Sequence, residues 1–128
     1  MSLTHRTVAM MLPVTDVDRA RTFYSESLGL DYTGTNDEGS AMYALDGGST
    51  LVLLPRPDSR PSESTAMSFE VDDLTSEIRD LEQRGVVFED DDLPDLKTGD
   101  HVCVMGSEKA AWFKDPDGNV LCLHEQIA

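Results

Sequence analysis

Cys122 and His124 stand two residues apart in a short apolar run, 120–124, whose composition predicts a strand. That spacing places both side chains on one face, so a thiol and an imidazole share a surface. Together they are a nucleophile and a base, and Glu70 adds an acid or base if it approaches His124 across a sheet. Each also has a plainer role. A strand cysteine is most often a small buried apolar residue, and a histidine at a strand end fits a hydrogen-bonded rim position. His5 and His101 fall in end and loop positions and are weak metal ligands by placement.

The elements that must position these groups repeat. Residues 8–14 form an apolar run, and a helix is expected next, with Thr15 and Asp18 at capping-box-like spacing. Val17, Ala20, Tyr24 and Leu28 recur at helical intervals, and Gly29 supplies the stop. Strands are predicted at 30–33, 41–45 and 50–54, giving β-α-β-β-β. The pattern then recurs: a strand at 66–71, a helix at 73–84 with Leu74, Ile78 and Leu81 inward, and strands at 86–89, 102–104, 110–114 and 120–124. The boundaries are module 1 over 6–55, a polar linker rich in Pro and Ser over 56–64, and module 2 over 65–127, within one domain spanning 1–128.

Arithmetic supports the repeat. Val14 and Val71 differ by 57, as do Asp16 and Asp73. Aligning Asp46 with Asp115 gives 69 for the later strands, which pairs Leu53 with Cys122. The fold class expected is α+β, with tandem modules forming a concave mixed sheet and helices on the outer face.

Composition narrows the function. Against 10 basic residues stand 25 acidic ones, a formal charge of −15, so the field repels nucleic acid and anionic membrane surfaces and favours a cationic guest. The run at 89–92 is expected to be a solvated loop rather than a metal site. Two cysteines are too few for a disulfide framework, and no secretory or membrane-spanning apolar run is read, so a reducing cytoplasm is the expected location.

The stretches Val14-Thr15-Asp16, Phe23-Tyr24 and Leu28-Gly29, with Trp112-Phe113-Lys114-Asp115-Pro116-Asp117-Gly118-Asn119, resemble the vicinal oxygen chelate superfamily over essentially the whole chain. That superfamily contains glyoxalase I, extradiol dioxygenases, fosfomycin-resistance proteins and bleomycin-binding proteins. The resemblance implies that metal-dependent members draw His, Gln or Glu ligands from the middles of the first and last strands of each module. The matching positions here are Ala9, Ala66, Leu53 and Cys122, of which only Cys122 carries a donor atom. No catalytic metal and no cofactor are therefore expected.

Strand alternation sets Met67, Phe69 and Val71 against the helix and leaves Ala66, Ser68 and Glu70 on the other side. The expected pocket is lined by Ala9, Met11, Tyr43, Leu53, Ala66, Ser68, Trp112, Cys122 and His124, with Tyr43 and Trp112 as symmetric walls. Two functions follow. One is a metal-independent binder of a cationic or aromatic small molecule. The other is a lyase, isomerase or dioxygenase with a non-standard site, in which Glu70, Cys122 and His124 are the candidate catalytic residues. The resemblance also implies a homodimer.

Overall fold

Asp16 and Asp73 do the same job in two places: each caps a helix, its carboxylate accepting from the backbone N–H three residues on, Arg19 or Ser76, at 3.1 Å. The N-cap of the first helix is thus Asp16, not Thr15, whose hydroxyl accepts from the Arg19 guanidinium instead. In the computed structural model, residues 2–89, 98–99 and 101–127 are described. The chain divides into two compact units, Met1–Arg60 and Pro61–Ala128.

The first unit contains β1 (Ala9–Val14), α1 (Val17–Thr22) with a wider π turn over Phe23–Ser27, β2 (Asp31–Thr35), β3 (Ala41–Ala44) and β4 (Thr50–Pro55). Its sheet runs β1-β4-β3-β2, with β1 parallel to β4 and the other pairs antiparallel. The second contains β5 (Thr65–Glu70), α2 (Leu74–Gln83), β6 (Thr98–Gly99), β7 (Val102–Met105), β8 (Glu108–Lys114) and β9 (Val120–Gln126). Its sheet runs β5-β9-β8-β7-β6, again with first and last strands parallel. The architecture is α+β, two tandem modules of one topology. No helix among the described residues is long and apolar enough to cross a membrane.

Each helix packs on its own sheet, α1 on β4 and α2 on β8 and β9. Leu74, Ile78 and Leu81 form one stripe of α2 and are all buried, each contributing about 1.5–3 kcal/mol. Beneath α1 the sheet presents Leu12, Val14, Ala41, Tyr43, Leu51 and Leu53, all buried. Its counterpart beneath α2 presents Met67, Phe113, Leu121 and Leu123.

The expected strand at 86–89 is absent. Phe88 makes an isolated bridge to Phe113, and the Glu89 N–H donates to the Trp112 carbonyl, while Val87 is exposed. Its side chains have strand composition, but sheet membership requires a continuous partner. The acidic run is described only at Glu89; positions 90–92 lie outside the described residues.

The last-strand offset between modules is 70, one more than the sequence alignment implied. Tyr43 pairs with Leu51 and Phe113 with Leu121; Met42 pairs with Val52 and Trp112 with Cys122. The turns agree. Leu45 N–H donates to the Ser49 carbonyl and Asp115 N–H to the Asn119 carbonyl, and each turn carries a left-handed glycine, Gly48 at φ 85° or Gly118 at φ 93°. Asp115 therefore matches Leu45, and the Asp46–Asp115 identity is coincidental. Because strand side chains alternate, that single residue reverses the face assigned throughout β3 and β4.

Candidate functional site

Each sheet has a helix side and a far side, and the register decides which residues reach the far side. On β1 these are Ala9, Met11 and Pro13, joined by Thr50, Val52 and Leu54 from β4 and Met42 from β3. Tyr43 and Leu53, expected in a pocket with Ala9 and Met11, point the opposite way and are 0% exposed. The Tyr43 hydroxyl lies 2.9 Å from Ser25 Oγ and donates to the Arg21 carbonyl at 3.4 Å, both below the sheet. Its structural counterpart is Phe113, and the counterpart of Trp112 is Met42, so Tyr43 and Trp112 are not symmetric walls.

The second sheet is different in kind. Parallel pairing sets Ser68 beside Cys122 and Glu70 beside His124, and β8 adds Trp112 opposite Cys122. Ser68 Oγ is 2.5 Å from His124 Nδ1, and His124 Nε2 is 3.8 Å from Glu70 Oε1. The half-buried Trp112 ring is fixed by its Nε1–H, which donates to Thr65 Oγ1 at 3.2 Å. Ala66, also expected in the pocket, sits at a register shift between Thr65 and Met67 and is exposed. Of the expected set, then, Ser68, Glu70, Trp112, Cys122 and His124 come together on one surface.

Thr65, Met42 and Val52 were missed. The matched glycines 48 and 118 are the sequence signal that would have found the last two, since aligning on them gives the correct face. His5 ends an exposed turn, and His101 pairs with Glu82 at 3.3 Å in a left-handed conformation, φ 70°.

Electrostatically, burial pushes the Cys122 thiol up, while the neighbouring Ser68 side chain and Ala111 backbone pull it down and the Glu108 charge adds to the rise. The net direction is upward, so Cys122 is a thiol rather than a thiolate and a poor nucleophile.

A metal fits these residues badly. The far-side residues of β1 and β4 are hydrocarbon or thioether apart from the Thr50 hydroxyl, and in β5 and β9 the donors are Ser68, Glu70, Cys122 and His124, of which Ser68 bonds to His124 and the Cys122 thiol donates to the Leu123 carbonyl. Zinc takes four N, O or S ligands, and calcium or magnesium takes six or more oxygens. Among the described residues no three His, Cys, Asp or Glu side chains converge. No chemical step is assigned to a metal here.

Known proteins share this architecture. No curated protein matches the chain in sequence. Among solved structures, TnmS3, an antibiotic binding protein from Streptomyces sp. CB03234, is 27% identical with a TM-score of 0.67, the match covering 92% of this chain and 93% of that one. A glyoxalase/bleomycin resistance protein from the same organism is also 27% identical, with a TM-score of 0.63 over 91% of this chain and 96% of that one. A superfamily member from Sphaerobacter thermophilus DSM 20745, 22% identical over 94% and 96%, shares the fold with a TM-score of 0.73. The sequence model of the superfamily itself matches residues 6–123, which takes in both capped helices, the first parallel strand pair and the second as far as Leu123. With that span added to the topology, the chain belongs to the glyoxalase/bleomycin resistance protein/dioxygenase superfamily.

Proposed function

We propose that the chain binds a small molecule on the far side of its sheets, without a catalytic metal. The supporting observation is what the strand centres carry: Met11 and Val52 in the first unit, and Ser68 and Cys122, paired across β5 and β9, in the second. Trp112 offers a rigid aromatic surface opposite Cys122, and binding sites combine such apolar walls with a few polar groups. Each sheet offers its own candidate contacts: Ala9 and Met11 on the first, and Ser68, Trp112, Cys122 and His124 on the second. Tyr43 and Leu53 are not among them.

The charge of −15 favours a cationic guest, and an aromatic one suits Trp112. An antibiotic binding protein at 27% identity supports the choice of ligand class. Homodimerisation and a reducing cytoplasm belong to the same proposal; both cysteines are free thiols, and light scattering tests the dimer. Calorimetry with cationic glycopeptides and aromatic natural products tests binding. Stoichiometric association with unchanged ligand is expected, and turnover of the bound compound removes the proposal.

The proximity of Glu70 to His124 favours one alternative, a lyase, isomerase or dioxygenase with a non-standard site. Elemental analysis of protein purified without chelators separates the two, since stoichiometric Ni, Zn, Fe or Mn belongs only to the enzyme.

A further inference from the structure

The register of β5 against β9 shifts at one place. Thr65 pairs with Val120 and Met67 with Leu121, so two steps along β5 match one along β9 and Ala66 is the extra residue. Plain alternation would set Thr65 on the helix side with Met67. The extra residue turns it over, because its partner Val120 shares a face with Cys122 and His124, opposite the buried Leu121 and Leu123. The Thr65 hydroxyl thereby reaches the far side, where it accepts the Trp112 Nε1–H at 3.2 Å.

That hydrogen bond dictates how the indole lies. Trp112 stands on β8 opposite Cys122, and Thr65 stands two strands away, on β5 beside Val120. Two inter-strand spacings and two residues along the strand make a diagonal of roughly 12 Å between their backbones. Strand side chains ordinarily stand upright from the sheet. This one has to lie down across β9 to make the contact, with one ring face against the strand and the other turned outward. The exposures agree. Trp112 is half-buried, and Cys122 is buried although Val120 and His124 on the same face are half-buried and Ser68 is exposed.

We propose that Thr65, turned onto the far side by the extra residue at Ala66, is a positioning residue that holds the Trp112 indole flat across β9 as a stacking platform for the ligand. A ring already held in one orientation loses little further freedom when a guest covers it, so the hydrogen bond contributes to affinity. A flat fused-ring surface is matched best by another, in offset stacking. The assignment rests on the binding function proposed above and narrows its ligand class to planar fused-ring aromatics, to which a positive charge adds cation-π attraction.

The test compares Thr65→Val, which keeps the side-chain shape and removes the acceptor, with Thr65→Ser, which retains the hydroxyl, in the full chain. Trp112 is the only tryptophan, so fluorescence anisotropy and the indole N–H resonance of 15N-labelled protein report on it without assignment. In Thr65→Val the anisotropy should fall, and iodoacetamide should alkylate Cys122 faster while the buried Cys103 stays as in wild type. Thr65 is exposed and water competes for its bond, so 9-aminoacridinium should bind that variant about 3- to 10-fold more weakly. Thr65→Ser should match wild type in all three. Unchanged anisotropy in Thr65→Val, or a Thr65→Ser variant that behaves like Thr65→Val, overturns the positioning role, and the binding surface stands if 9-aminoacridinium still shifts the indole resonance. If 9-aminoacridinium leaves the wild-type indole unmoved, the binding surface falls and the platform with it.

Discussion

Replacing Tyr43 by phenylalanine separates a core residue from a ligand contact. The ring is fully buried and stays in place, packed against Tyr24 and Tyr32 at centroid distances of 6.3 and 5.7 Å. Only the hydroxyl is lost, with its contacts to Ser25 Oγ and the Arg21 carbonyl. One good hydrogen bond and one long one are together worth about 1–2 kcal/mol, since their partners are left part-buried. For a chain of this size that is a fall in Tm of about 3–8 °C. Urea denaturation followed by circular dichroism should show a lower midpoint at unchanged slope. Affinity for any ligand on the far side should hold within about twofold, a change of less than 0.5 kcal/mol. If Tyr43→Phe weakens ligand binding tenfold and leaves the midpoint where it was, the face assignment of β3 is wrong, and with it the offset of 70 between modules.

Other perturbations reach different parts of the molecule. Glu125 Oε1 accepts the Leu74 N–H at 2.7 Å at the start of α2, so Glu125→Ala should cost about 1.5–3 kcal/mol in chemical denaturation, more than the ~1 kcal/mol expected of the more exposed cap in Asp73→Ala. At Gly48 an added Cβ lies 2.9 Å from Thr7 Cγ2 on a backbone at φ 85°, so Gly48→Ala should destabilise by about 1–3 kcal/mol, measured the same way. Cys122 predicts a pH dependence. Its folded-state pKa is raised chiefly by burial, so stability is intact below about pH 8.5, the ordinary thiol value, and falls above it as the unfolded chain ionises first. The difference in unfolding free energy between wild type and Cys122→Ala should shrink as pH rises from 8 to 10; a constant difference counts against a buried, protonated thiol.

Local chemistry was readable in the sequence wherever it acts over a few residues. Gly29 and Gly85, at φ 71° and 92°, stop the chain where the helical apolar intervals end, whereas the first cap reads one residue early, at Thr15, because a hydroxyl and a carboxylate side by side both fit a helix start and only Asp16 reaches the Arg19 N–H. Alternation along β5 and β9 sorted Ser68, Glu70, Cys122 and His124 onto one side correctly. The same rule failed for Tyr43 and Leu53 because the strands were aligned on acidic turn residues, whereas the turn is set by its left-handed glycine. Residues 86–89 misled because β-propensity is local and pairing is not. The Ser68–His124 contact was out of reach of sequence, since it runs diagonally between strands and depends on side-chain torsions.

Pairing the first strand of each unit with its last has a consequence for synthesis. As the chain leaves the ribosome, β1 cannot bond to β4 until Thr50–Pro55 has emerged, so its backbone groups wait on some forty intervening residues. Once they arrive, the first unit has every strand of its sheet to hand. Translation adds about 5–20 residues per second, which gives that unit several seconds to close before β9 appears. A nascent chain arrested after the linker should therefore already resist protease.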